Sequence, residues 1–405
     1  MASRLPRRRL LAAALPALAP RRAATASPPP GGTASQPPGG TAAAGPITLR
    51  FLDTSETVQG GLLFQRFAAA RPDLVASVSV ARDQAEALFG ALRAGVEAGN
   101  PPYDAVLTTL DGAVAGAELG LWQPLAPLLH DRLPPQDALL TPLARLLRGV
   151  VREQAQIVVA SPGGPLLAYA PGQVPRLPAT PAELLAWARQ NPRRFLYPRP
   201  DLSEAGRCFV AGLPWILRDR DPLDPREGWP ATWAFLAELD RHVAYYPTTG
   251  QAAMQELAEG GVHIAATTLG GDVMARATGL LPRGTGLGSL LDFHWVPVGL
   301  FVGMPRGLQA ARQDIMAAAV ASLLEASFQS RAFGHGQYWP GPVRQGITLA
   351  EAPPRQQAEL RRVVRPGTQE LIARHPFAPP LLLEQSLFML RRWSEEIGAW
   401  HGVRP

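Results

Sequence analysis

Lysine is absent: all 39 basic residues of this 405-residue chain are arginine, set against 33 acids. Cysteine is almost absent too. Cys208 alone excludes an internal disulfide and a cysteine-only metal site, and it reads as a small buried side chain rather than a nucleophile. No run of 18 uninterrupted apolar residues occurs, so nothing in the mature sequence is long enough to cross a ~30 Å hydrocarbon core, which predicts a soluble protein. Charge is modest at 18%, and hydrophobic residues make up 46%, enough for two cores and unlike a disordered chain. The formal charge of +6 belongs to the first 26 residues, which hold Arg4, Arg7, Arg8, Arg9, Arg21 and Arg22 and no acid. Thereafter arginines and acids balance, so the mature fold lacks the net basic footprint that phosphate neutralisation requires, and no nucleic-acid partner is expected. Also missing are G-x-S-x-G, the Walker A pattern, H-E-x-x-H and any histidine pair at ligand spacing among His242, His263, His294 and His335. No catalytic residue, metal or cofactor is expected.

Arg7 to Arg9 precede the apolar run Leu10 to Ala19, and Ala24-Thr25-Ala26 offers small residues where a signal peptidase reads. Residues 1–26 are therefore expected to be a secretory signal, by the general or the twin-arginine route, with no cysteine for lipid attachment. Eleven of the next twenty residues, Ser27 to Pro46, are proline or glycine, and PPGGTA occurs twice; residues 27–46 read as a disordered linker. The expected location is periplasmic.

Beyond the linker, Ile47 to Leu52 alternates with period two and meets the polar loop Asp53 to Thr57, before a helical pattern through Leu63, Phe67 and Ala70. A strand at Leu74 to Val80, a helix through Leu92 and Val96 and a strand at Asp104 to Leu107 complete a β-α-β-α-β opening. A second series runs from strands at Ile157 to Ala160 and Leu166 to Tyr169. Thr180-Pro181-Ala182-Glu183 then supplies an N-cap, a first-turn proline and a capping-box acid. Strands are expected at Phe195 to Tyr197, Val243 to Tyr246 and Val262 to Ala266, with helices between them, and Gly284 to Gly288 reads as a flexible loop. Phe293 to Val302 is one extended run, either a crossing between lobes or a buried strand within one. Helices follow at Leu308 to Leu324 and Leu381 to Trp400.

Four segments in order carry a family resemblance. They are Phe64 to Phe67 with Arg71-Pro72-Asp73; Leu92 to Gly95 with Pro101 to Val106; Gly120-Leu121-Trp122-Gln123-Pro124-Leu125; and Thr249 to Met254 with Leu257 to Gly260. Together they resemble the type 1 extracellular solute-binding proteins of ABC importers, in the branch with polyamine-binding and thiamine-binding members. The resemblance covers about Ile47 to Gly336. It implies an α/β fold of two lobes, the type II-like periplasmic-binding-protein architecture, each lobe a mostly parallel sheet covered by helices and the two joined by crossing strands. The expected division is 47–153 with 297–345 for the first lobe and 154–296 with 346–405 for the second. The implied role is the monomeric binding subunit of an importer, taking a small polar solute, cationic in the polyamine or thiamine manner, by hinge closure and passing it to a permease and ATPase. An exported enzyme on the same fold is the alternative.

In such a fold the loops after strands line the cleft. On the first lobe these are Thr54, Ser55 and Glu56, then Thr108 and Thr109, each equally suited to capping the next helix. On the second they are Tyr197, Arg199 and Ser203, then Tyr246, Thr248 and Thr249, of which only one of Tyr245 and Tyr246 can face away from the core. Thr268 and Asp272 offer a hydroxyl and an acid or a pair of caps, and Trp295 a ring on the crossing segment or a core side chain.

Overall fold

The computed structural model describes residues 45–55, 63–82 and 85–400; the expected signal, nearly all of the linker and Glu56 lie outside them. The alternating segment Ile47–Asp53 forms β1, followed by α1 (Leu63–Ala70), β2 (Val75–Arg82), α2 (Ala85–Glu97) and β3 (Ala105–Thr109). β2 and β3 both lie parallel to β1, as the βαβ pattern requires. Asp104, at the head of β3, ties this unit together. Its fully buried carboxylate accepts from the Arg50 backbone N–H at 2.8 Å, from Arg50 Nη2 at 2.7 Å and from Arg312 Nη1 at 2.8 Å. A buried acid so paired is retained at little net cost, whereas removing both arginines would strand its charge.

Four short helices follow: α3 (Leu110–Glu118), α4 (Ala126–Leu129), α5 (Gln136–Leu139) and α6 (Pro142–Val150). Between the first two, Trp122 is fully buried and donates its indole N–H to the Ala113 carbonyl at 3.0 Å. Its ring lies so close to Gly116 and Gly303 that a Cβ there would sit 2.1 and 2.8 Å from it, so both positions need glycine.

The second series comprises β4 (Ala155–Gly164), β5 (Leu166–Tyr169), α7 (Pro181–Gln190), β6 (Phe195–Leu196), α8 (Glu204–Ile216), α9 (Pro230–Asp240), α10 (Gly250–Ala258), β7 (Ile264–Thr267), α11 (Leu269–Ala277) and β8 (Gly286–Gly288). The start of α7 is as the sequence indicates: Thr180 Oγ1 accepts from the Glu183 N–H at 3.2 Å, and Glu183 Oε2 accepts from the Ala179 N–H at 2.8 Å. The chain then runs through β9 (Val296–Gly303), α12 (Ala310–Ser322), α13 (Ala326–Gln329), β10 (Gly341–Pro342), α14 (Pro354–Val363), α15 (Thr368–Arg374) and α16 (Leu383–Glu396).

Two sheets result, ordered β10-β4-β9-β3-β1-β2 and β6-β7-β5-β8. They are mixed rather than mostly parallel. β9 is antiparallel to both β3 and β4, and β5 is antiparallel to β7 and β8. The reason is the connectivity: β4 carries the chain out of the first sheet and β9 brings it back beside β4, so the two must run in opposite directions. The run beginning at Phe293 joins both alternatives of the sequence reading. Phe293 and Trp295 are buried in the core of the second sheet, whereas Val296–Gly303 lies within the first.

Two expectations fail locally. Val243 to Tyr246 is not a strand; the Val243 N–H turns back to the Asp240 carbonyl, and the flanking carbonyls of His242 and Pro247 accept from the N–H groups of Arg193 and Arg199. Gly286–Gly288, expected as loop, pairs with β5, because alternation is a side-chain signal and glycine carries none.

Candidate functional site

β4 passes through Gly164 and Pro165 into β5, so the segment joining the sheets is two strands wide: β4 outward and the stretch before β9 on return. α8 packs against this junction. Cys208 on α8 lies with its thiol 3.5 Å from the Val296 carbonyl, and a Cβ on Gly164 would sit 3.1 Å from the Cys208 Cβ. Burial pushes the thiol's pKa far up, which makes it inert packing.

From there the two halves face each other through α3 and α8. Arg207 Nε in the first turn of α8 meets Asp111 Oδ2 in the first turn of α3 at 2.8 Å, and Arg207 Nη1 is fixed by the Pro200 carbonyl at 3.1 Å. At the other end of α3, Glu118 Oε1 accepts from the Leu383 N–H at 3.5 Å, where α16 begins. Hydroxyl-bearing residues precede both bridged helices and follow β1. Thr54 and Ser55 follow β1, tied to β3 by the Thr54 N–H and hydroxyl donating to the Leu107 carbonyl at 2.9 and 3.1 Å. Thr108 is buried; Thr109 precedes α3, half-buried, and its side chain makes no capping bond. Across from them Ser203 precedes α8, likewise with no capping bond, and a Cβ on Gly250 would be 3.7 Å from its Oγ, so the starts of α8 and α10 converge.

Asp53, expected to open the polar loop after the first strand, is the last residue of β1. It is buried, with Oδ1 accepting from the Ser55 hydroxyl at 2.5 Å and N–H at 3.0 Å, while Oδ2 makes no hydrogen bond and stands 3.7 Å from Arg82 Nε. Burial outweighs these partners and holds its carboxyl pKa above the ordinary range. The acid at the end of the alternating strand was legible in the sequence as part of that polar loop; its burial was not. Arg207 carried no such signal, since its partner is nearly a hundred residues away.

The other expected site residues divide by burial. Tyr197 is fully buried, its hydroxyl accepting from the Trp393 indole at 2.9 Å, and Tyr246 is buried beside it with its hydroxyl donating to Asp240 at 2.6 Å. Of the adjacent tyrosines, Tyr246 is thus the core residue; half-buried Tyr245 donates to Glu256. Arg199 is held bidentately by Asp201 at 3.0 and 2.6 Å and lies 5.5 Å from the Trp393 ring centre. Thr249 and Thr268 cap α10 and α11 through their hydroxyls, and Thr248 is half-buried just before. Asp272 is fully buried in a fork with Arg365, both bonds at 2.9 Å. Trp295 is fully buried, edge-on to Phe293. Tyr197, Tyr246, Asp272 and Trp295 therefore serve the core and present no surface to a solute in this conformation.

Residues 63–307 match the model of the bacterial extracellular solute-binding protein family. The chain belongs to that family. No curated protein matches it. Among solved structures, this solute-binding protein is similar to the periplasmic binding protein AfuA from Actinobacillus pleuropneumoniae, solved with exogenous fructose-6-phosphate bound. The two are 16% identical over 86% of this chain and 98% of that one, with a TM-score of 0.55. It is also similar to a putative spermidine/putrescine ABC transporter from Listeria monocytogenes, at 13% identity, 86% and 98% coverage and TM-score 0.58. The spermidine/putrescine substrate-binding protein PotD from Streptococcus pneumoniae aligns at 11% identity, 86% and 99% coverage and TM-score 0.56. At these identities the likeness is one of fold: the two-lobe fold of periplasmic binding proteins.

Proposed function

We propose that this solute-binding protein is the exported, periplasmic binding subunit of an ABC importer, that it takes one small polar solute between its lobes, and that it closes on a hinge formed by β4 and the segment entering β9. The observation that carries the reading is the Asp111–Arg207 bridge between the first turns of α3 and α8, helices that Thr109 and Ser203 immediately precede. Such a contact exists only when the lobes are together, so a solute touching both sides favours the closed state by its differential affinity. A membrane permease with its ATPase would read that state. No chemistry on the solute is part of the reading.

A cationic amine, in the manner of a polyamine or thiamine, is the first reading: Asp53 Oδ2 accepts no hydrogen bond, and parting of the lobes would have to uncover this buried carboxylate for it to meet the amine. A second reading, an organic phosphate ester, is favoured by the converging starts of α8 and α10, whose N–H groups and Arg207 suit an anion. Native mass spectrometry of protein purified without refolding weighs any solute carried along. Titration with spermidine, thiamine and fructose-6-phosphate, read by small-angle scattering, is expected to shrink the radius of gyration with one class alone. Consumption of the bound compound, or no compaction with any small solute, would remove the importer reading.

A further inference from the structure

A cavity of about 730 Å³ opens not between the lobes but between the end of α11, the turn after it and α14. Arg276 lies eight residues beyond Thr268, which caps the start of α11, ~12 Å farther along its axis at ~1.5 Å per residue. Four guanidinium groups line the cavity: Arg276, Arg283, Arg355 and Arg362. Arg276 is fixed, its Nε donating to the Val363 carbonyl and Nη1 to the Arg283 carbonyl, each at 3.2 Å. Among the described residues Arg283, Arg355 and Arg362 have no carboxylate partner, and the one acid in the wall, Glu359, is engaged by His335 Nδ1 at 2.9 Å. Arg355 and Arg362 lie seven residues apart on one face of α14, ~10 Å along the axis. Leu281 and Val363 give the cavity an apolar side.

We infer that this cavity is a second binding site, separate from the interlobe site, for a small polyanion carrying two or more phosphate or carboxylate groups. Planar guanidinium forks match such groups bidentately, and their spread along α14 favours an extended anion over a single phosphate. The crowding of cations supports it: burial and the nearby Arg365 both lower the Arg276 pKa, and a bound anion would relieve that repulsion.

The test is calorimetric titration of the full-length protein with inorganic triphosphate at constant ionic strength, beside orthophosphate and beside sedimentation with phosphatidylglycerol vesicles. One triphosphate per chain is expected, with orthophosphate at least tenfold weaker. In R355Q/R362Q, two solvent-facing changes that leave Arg276 and its carbonyl bonds in place, the affinity should fall at least tenfold and recover in part in R355K/R362K. Unchanged binding in the glutamine variant places the anion elsewhere and overturns the inference. So does binding to vesicles without binding to triphosphate, which would make the patch a membrane contact.

Discussion

Asp53 and Asp272 are both buried acids, one to each lobe, with opposite provision. Asp272 has a bidentate arginine, so its charge is a fixed part of the second lobe. Asp53 has a serine and a distant Arg82, and burial raises its pKa above the ordinary 3.8. The folded protein therefore holds that proton more tightly than the unfolded chain does. Stability from this group is present below the unfolded value and declines as pH rises through the folded one, leaving the ionised carboxylate a net cost at neutral pH. D53N keeps an acceptor for the Ser55 N–H and removes the charge. Urea unfolding at about pH 7 is expected to show D53N at least as stable as the parent, with the gap closing as pH falls toward 4; a loss of stability at neutral pH would refute the account. If the solute is an amine, the same variant should bind it at least tenfold less tightly, ~1.4 kcal/mol.

At the level of elements, α16 packs Trp393 into the core of the second sheet. Its amphipathic pattern indicates a helix, but not that Trp393 enters a cluster with Tyr197 and Tyr246 at ring separations of 6.2 and 5.0 Å while donating to the Tyr197 hydroxyl. Trp393→Ala should cost about 3 to 5 kcal/mol in denaturant unfolding, through the lost burial and the cavity left behind. Trp393→Phe should recover most of the packing but not the hydrogen bond. A loss below 1 kcal/mol for the alanine variant would mean that α16 is peripheral. The same cluster explains why Tyr197 and Tyr246 were legible as aromatic residues yet not as core residues: their cover comes from a helix about 150 to 200 residues later.

For the whole molecule, the proposed closure makes the Asp111–Arg207 bridge the contact to test first. Asp111 is half exposed, so the pair is worth about 0.2 to 1 kcal/mol after solvent screening, up to about a fivefold change in the ratio of closed to open forms. R207Q is expected to enlarge the radius of gyration of the solute-free protein and to weaken solute binding by a factor in that range, with unfolding stability little changed. Scattering curves superimposable on the parent's would show that the bridge does not bias closure.

Composition and periodicity determined the α/β character, the β-α-β-α-β opening, the cap that starts α7 and the order of segments by which the family is legible, because each depends on residues within a few positions of one another. The tertiary structure alone decided the antiparallel return of β9 beside β4, the pairing of Asp272 with Arg365, the meeting of Asp111 with Arg207 and the burial of Trp295. Those facts join residues tens to hundreds of positions apart. Local pattern fixes which face of an element is apolar, but which partner covers that face, and which charge reaches which, is set by how the elements pack.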